Sequence, residues 1–435
     1  MKAIIEKIKK NGLITNSIYG IGSKMVAMLL YMIADILIVR YLTYQLYGEW
    51  TYYYAIAAIL FVVGRLGINS ATQVFVAGSK TAEEKKGYIG VGLAVRFVIS
   101  MAVGLFLLIL MPNIAVFMGY PEKYAELRSM FFWLPLLIFG NSVVDFFKCL
   151  YVGTVEFQKV FWLTVLEYLG ILLCGVGAIA VTGSIQGLNI GYVVSYFLVS
   201  VSGYRMLKPE WKHLEFRKVY ADREKIQKLV RYAVAAFFAG LISILLMDMD
   251  TFMLGLLSEP GESGVYSIGK SLLTKATNLS VAVASSTMTA FALVTKENVE
   301  SKQKLFRRLN QWNLLAIGCV CAGCLILGRF LIVLLYGAEY TVSVRVMYTL
   351  LPYYALFSMS VFPATYLNYQ YLALKCLSYN AIMFFCNLIL NLLLIPKYGA
   401  MGAAVATDIS IVPYTLLLYL ATNKNFREKR RDTEA

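Results

Sequence analysis

The chain has 435 residues, of which 59% are hydrophobic and 15% charged; its formal net charge is +15 and its mean hydropathy +0.67. So apolar a composition excludes an ordinary soluble globular domain. The basic excess is therefore read against anionic lipid headgroups and not as a nucleic-acid footprint.

A helix needs roughly 20 mostly apolar residues to cross about 30 Å of hydrocarbon. In chain order the sequence predicts about twelve such helices, over 14–40, 50–78, 88–111, 129–152, 160–182, 185–204, 230–257, 264–294, 311–335, 346–368, 371–395 and 399–421. The runs are long and lack a two-residue alternation, so helices and not barrel strands satisfy the backbone in lipid. The basic stretch Met1–Asn16 leads into the first of these runs with no small-residue cleavage site behind it, which reads as an uncleaved first span.

Lysine and arginine set the expected orientation. With the N-terminus inside, the inner segments hold Lys2, Lys7, Lys9 and Lys10, then Lys80, Lys85 and Lys86, then Lys159. The largest cluster runs from Arg205 to Arg231, and Lys296–Arg308, Lys375 and Lys424–Arg431 follow. The outer loops carry only Lys123, Arg128, Arg345 and Lys397. Both termini are therefore expected in the cytoplasm.

The polar stretch Met206–Lys228 divides the chain near its middle, giving an expected N-terminal six-helix bundle (1–204), a basic linker (205–229), a C-terminal six-helix bundle (230–423) and a basic tail (424–435). An internal echo supports two halves. Asp35 precedes Leu42 by seven residues, with Gly48-Glu-Trp50 beyond; Asp250 precedes Leu257 likewise, with Gly264-Val-Tyr266 beyond. A weaker echo links Gly187–Gly191 to Gly399–Gly402. Six spans per half is an even number, so the halves run parallel, related by an axis along the membrane normal with a cleft between them.

Three motifs are set aside. Gly264-Val-Tyr-Ser-Ile-Gly-Lys-Ser271 satisfies the phosphate-loop pattern, but an outer loop and not a buried strand precedes it, so no nucleotide is expected. Cys319, Cys321 and Cys324 crowd one span, yet the chain's single histidine is His213 in the basic loop, so no metal is expected and the seven cysteines read as packing residues. No Ser, His and carboxylate grouping suggests hydrolysis, and no cofactor is expected. Many of the 31 tyrosines, Tyr52–Tyr54, Tyr366, Tyr369 and Tyr371 among them, are assigned to interfacial belts.

The informative residues are charges inside the spans, each costing on the order of 3 kcal/mol at a helix centre. The basic ones are Lys24, Arg40, Arg65, Arg96, Lys148, Lys270, Lys275 and Arg329; the acidic ones are Asp35, Asp145, Glu167, Asp248, Asp250 and Asp408. Arg40, Lys148 and Arg329 read as snorkelling side chains, and Asp145 with Lys148 as a pair within one helix. Lys24 and Asp35, about three turns apart, share one face of the first helix. Asp248 and Asp250 lie about 200° apart around theirs, so at most one faces a cleft squarely. Arg65 in the second span and Lys270 and Lys275 in the eighth put cations on both expected walls, with Arg96 added from the third. Asp35 and Asp250 are the candidates for ion coupling, and structural anchors at the outer rim are the competing reading.

The segments Arg40–Trp50, Gly64–Asn69, Asp250–Tyr266 and Leu394–Ala404 resemble the polysaccharide-biosynthesis flippases, which export lipid-linked oligosaccharide repeat units; Thr43 stands where that family usually has Gly. The resemblance implies an all-α fold like the multidrug and toxin extruders (MATE-like), with two six-helix bundles rocking between inward-open and outward-open states in a bacterial inner membrane. It implies an undecaprenyl-pyrophosphate-linked sugar unit as substrate, no enzymatic activity, and association with polysaccharide assembly proteins. Lys24, Arg65, Arg96, Lys270 and Lys275 would then hold the pyrophosphate, since guanidinium and ammonium groups match phosphate oxygens. Two rivals are a multidrug or organic-cation antiporter of the same fold, expected to line its cleft with carboxylates, and a membrane polysaccharide polymerase or ligase, expected to carry a large charged outer loop.

Overall fold

The computed structural model describes residues 12–117, 125–207, 223–287, 291, 294, 298–370 and 372–431. Every regular element among them is helical. The basic N-terminal residues 1–11, the loop holding Lys123, linker residues 208–222 with His213, and Lys296 lie outside the described residues.

The helices are α1 (Gly12–Tyr41), α2 (Tyr44–Arg65), α3 (Ile68–Gly78), α4 (Ala82–Phe117), α5 (Ala125–Gly153), α6 (Phe157–Thr182) and α7 (Ile185–Arg205), then α8 (Arg223–Leu257), α9 (Pro260–Thr287), α10 (Val299–Tyr336), α11 (Val342–Tyr369) and α12 (Ala373–Arg431). Nine helical stretches among the described residues are long and apolar enough to cross a membrane. The chain forms two compact units, Met1–Asp248 and Met249–Ala435, which divide within α8.

Local chemistry explains the breaks. Thr43 is extended (φ −69°) and its hydroxyl caps α2 by accepting from the Leu46 amide at 3.4 Å, so this turn needs no glycine. The expected second span, 50–78, is two helices. Leu66 and Gly67 are left-handed (φ 42° and 70°), and a Cβ on Gly67 would lie 2.0 Å from the Ala233 carbonyl oxygen. Only glycine permits both the φ and that approach of α8. The first unit closes there around Ile68, Ala71, Val91, Ala94, Leu229 and Ala233.

A π turn at Ile171–Val176 interrupts α6, which α7 crosses closely through Gly170 against Ser195 and Gly191 against the Cys174 carbonyl. Small residues at such crossings let helices approach where lipid supplies no hydrophobic drive. In the second unit Gly399 (φ 54°, ψ −133°), three residues after Pro396, breaks the stretch α12 into two helices, where the eleventh and twelfth expected spans meet. Glu262 of α9 caps the bend by accepting from the Ala400 amide at 2.7 Å.

The two halves share one device. Gly48 and Gly264 are each the fifth residue of their helix, α2 and α9. The Tyr47 hydroxyl of α2 donates to Asp35 at 3.3 Å, and the Tyr266 hydroxyl of α9 donates to Asp250 at 2.6 Å. Gly264–Ser271 lies wholly inside α9, so its amides belong to a helix and form no phosphate loop.

The tyrosine assignment needs correcting. Tyr52, Tyr53 and Tyr366 are at most 1% exposed and so are bundle interior, not interfacial belt. Their hydroxyls make this tolerable: Tyr53 accepts from Asn189 of α7 at 3.0 Å and donates to the Met130 carbonyl of α5, and Tyr366 donates to Asn425 at 2.8 Å.

Candidate functional site

Five helices of the first unit converge on a partly open polar cavity of about 270 Å³. Helix α1 supplies Tyr31; α2 supplies Tyr54, Phe61 and Arg65; α5 supplies Asn141, Asp145 and Lys148; α6 supplies Glu167, Tyr168 and Ile171; α7 supplies Tyr196. Asn141, Asp145 and Lys148 fall at i, i+4 and i+7, so one stripe of α5 carries the polar wall.

The charges are paired between helices. The Arg65 Nη2 donates to Asn141 Oδ1 at 2.8 Å, and its Nε lies 3.6 Å from Asp145 Oδ2. The same carboxylate oxygen accepts from Asn69 Nδ2 of α3 at 2.7 Å. Lys148 forms its ion pair with Glu167 of α6 and lies 5.8 Å from the centre of the Tyr168 ring. The expected pairing of Asp145 with Lys148 inside one helix is therefore replaced by two pairs across helices, because α2 and α6 bring opposite charges to either side of the α5 stripe. Behind Arg65, the buried Arg96 donates to the Gly64 carbonyl at 2.5 Å, which places a third cation near Asp145.

Arg65 faces the cavity with a side chain 33% exposed, while its Nε is buried, 3.6 Å from Asp145 and beyond hydrogen-bond length. Aromatic rings frame this centre: Tyr31 meets Tyr168 edge-on at 6.1 Å, and Tyr54 meets Tyr192 edge-on at 6.1 Å. Such a cavity offers fixed donors, acceptors and ring faces to a polar guest.

The second unit holds a separate polar centre. Asp250 accepts from Asn391 at 2.7 Å through Oδ1, and from Tyr266 and from Thr407 at 2.9 Å through Oδ2. Asn387 joins by accepting from Asn391 at 2.9 Å and donating to Thr407 at 3.3 Å. The carboxylate is thus buried among neutral donors. Lys270 donates to Thr251 at 3.1 Å and lies 5.5 Å from the centre of the Tyr266 ring. Asp408 accepts from the Tyr353 amide at 3.0 Å, beside Pro352 in α11.

Of the residues singled out from sequence, Arg65 lines the first-unit cavity and Arg96 backs it. Lys24 sits on an exposed part of α1 and does not line it. Asp35 is held by Tyr47, while Lys270, the half-buried Lys275 and Asp250 belong to the second unit. No group of three or more His, Cys, Asp or Glu able to hold a metal occurs among the described residues. The seven cysteines are free thiols.

The sequence model of the polysaccharide biosynthesis proteins matches residues 13–292, well over half of the chain. The chain belongs to that family. This family member has the fold of solved membrane transporters. It is similar to the lipid II flippase MurJ in an inward closed conformation (TM-score 0.74, 15% identity, 96% of this chain and 90% of that one). It is also similar to an inward-facing MATE family multidrug transporter of the MOP superfamily (TM-score 0.73, 13% identity, 94% and 99%). A MOP superfamily transporter from Pyrococcus furiosus Vc1, whose reversed binding-pocket polarity suggests a different function for it, matches at TM-score 0.63 (14% identity, 96% of each chain). No curated protein matches the sequence.

For this polysaccharide biosynthesis protein, sequence reasoning passed over Asp145, Lys148, Glu167 and Asn141 as cavity residues. The signal was present: two charges on α5 and one on α6 inside apolar runs. A short-range pairing rule explained Asp145 and Lys148 away, and the cross-helix partners at separations of 76 and 19 residues had no local trace.

Proposed function

We propose that this protein is a flippase that moves undecaprenyl-pyrophosphate-linked oligosaccharide repeat units from the cytoplasmic to the outer leaflet of a bacterial inner membrane by alternating access. The observation carrying the proposal is Arg65: a partly exposed arginine, held by Asn141 and Asp145 in a polar cavity amid apolar helices and backed by Arg96. A pyrophosphate arriving there exchanges water for charge-assisted hydrogen bonds, while the lipid tail stays in hydrocarbon. Family membership and the likeness in fold to a lipid II flippase support the same reading.

In this reading Asp250 serves ion coupling. Its carboxylate accepts from three neutral donors, Tyr266, Asn391 and Thr407, an environment in which a proton or monovalent cation can be taken up and released. Both termini face the cytoplasm, beside the polysaccharide assembly proteins.

A second reading has its own support. Glu167 among Tyr31, Tyr54, Tyr168 and Tyr196 also suits an organic cation, as in an antiporter of this fold. The two separate cleanly: Arg65→Ala abolishes export of the sugar unit under the flippase reading, at unchanged protein level. Unimpaired export, or drug sensitivity as the sole phenotype of a deletion strain, overturns it.

A further inference from the structure

A second cavity, of about 450 Å³, opens at the other end of the first unit, between α3 and the start of α8. Its α8 wall is Glu224, Gln227, Lys228 and Arg231, spaced i, i+3, i+4 and i+7 on one helical face, with Tyr232 beside them. Its α3 wall is Phe75. That ring is held in place by stacking on Tyr88 at 5.0 Å and by the edge of Tyr232 at 5.9 Å. Beneath lies the packed cluster of Ile68, Ala71, Val91, Leu229 and Ala233, so the cavity has a firm floor.

Lys228 pairs with Glu224 at 2.6 Å, and Arg231 has no ion pair or hydrogen bond among the described residues. Val230, Tyr232 and Val234, which flank Arg231 along α8, are exposed apolar or aromatic side chains on a helix apolar enough to span. Cations set among exposed aromatic and aliphatic side chains mark the level where headgroup meets acyl chain. Among the described residues, Lys228, Arg231 and Lys225, whose Nζ lies 5.9 Å from the centre of the Tyr88 ring, set against Glu224 and the nearby Glu84, leave one net positive charge, which matches a single phosphodiester and undercompensates a pyrophosphate.

We infer that this cavity is a binding site for a glycerophospholipid of one net negative charge: the phosphate lies on Arg231 and Lys228, the glycerol region against Phe75 and Tyr232, and the chains run along α8. The bound lipid ties α3 to α8, the helix within which the two units divide, and so makes the protein's stability depend on membrane composition.

The test is the melting temperature of the full-length protein in detergent, titrated with phosphatidylglycerol, phosphatidylethanolamine, phosphatidylcholine or inorganic phosphate. Phosphatidylglycerol alone raises it. In the Lys228→Gln/Arg231→Gln double variant the apparent affinity falls about 30-fold, on the scale of two basic residues at a membrane surface. Arg231→Gln alone, which breaks no contact among the described residues, shows part of that loss, and Arg223→Gln, on the same helix but outside the cavity, shows none. An equal response to phosphatidylethanolamine or to inorganic phosphate overturns the site. So does a wild-type response in both the single and the double variant.

Discussion

Removing either partner of the Lys148–Glu167 pair has unequal consequences that follow from its surroundings. Glu167 is 9% exposed and Lys148 21%, so neither is well solvated, and breaking such a pair costs about 3–5 kcal/mol when the remaining charge has no other partner. Lys148 does have one, the Tyr168 ring face at 5.8 Å, worth about 0.5–2 kcal/mol. Glu167→Leu is therefore expected to cost about 2–3 kcal/mol, the loss offset by that contact and by the nearby Asp145 carboxylate. Lys148→Met strands the more buried carboxylate and should cost the full amount, about 3–5 kcal/mol. The double replacement removes both charges and should lie within about 1–2 kcal/mol of the parent, a coupling that additivity cannot produce. Unfolding of purified protein in mixed micelles, run as a double-mutant cycle, measures all three. Additive costs, or Glu167→Leu as the more damaging change, would refute the reasoning. Sugar-unit export by the stable double variant then separates roles: full export makes the pair structural, and lost export at normal stability places it in substrate handling.

Two further outcomes follow from the geometry. Gly67→Ala places a Cβ 2.0 Å from the Ala233 carbonyl oxygen at a φ of 70°, so a loss on the order of 3 kcal/mol is expected, read as a lower melting temperature; an unchanged melting point contradicts the close approach of α8 to the α2–α3 break. Asp250→Asn keeps the side-chain shape and the Asn391 contact at Oδ1 while removing the charge. It should fold normally but transport without dependence on an imposed proton or sodium gradient in inverted vesicles, whereas gradient-dependent transport in the variant rules out coupling at Asp250.

The repeat of Asp35 and Asp250 is a case where short-range pattern carried far. Its spacing was visible along the chain, and in each unit the aspartate takes a tyrosine hydroxyl from the following helix. The tyrosine that does so differs, Tyr47 early in α2 and Tyr266 later in α9, so the pattern identified the acceptor and not its donor. The interior tyrosines show the opposite. Tyr52 and Tyr53 have the composition of an interfacial belt, and only the meeting of α2 with α5 and α7 places Tyr53 where Asn189 and the Met130 carbonyl satisfy its hydroxyl.

By itself the sequence determined that the chain lives in a membrane as a set of helices, because apolarity adds up residue by residue along a run and needs no partner. It likewise determined that charges such as Arg65 sit inside that apolar frame. The tertiary structure decided which partner each charge meets. Arg65 with Asp145, Lys148 with Glu167, and Asp250 with Thr407 pair across different helices, and the pairing depends on helix rotation, on the break at Gly67 and on the close crossings of α6 and α7. An ion pair is a property of two surfaces brought together, and only packing chooses those surfaces.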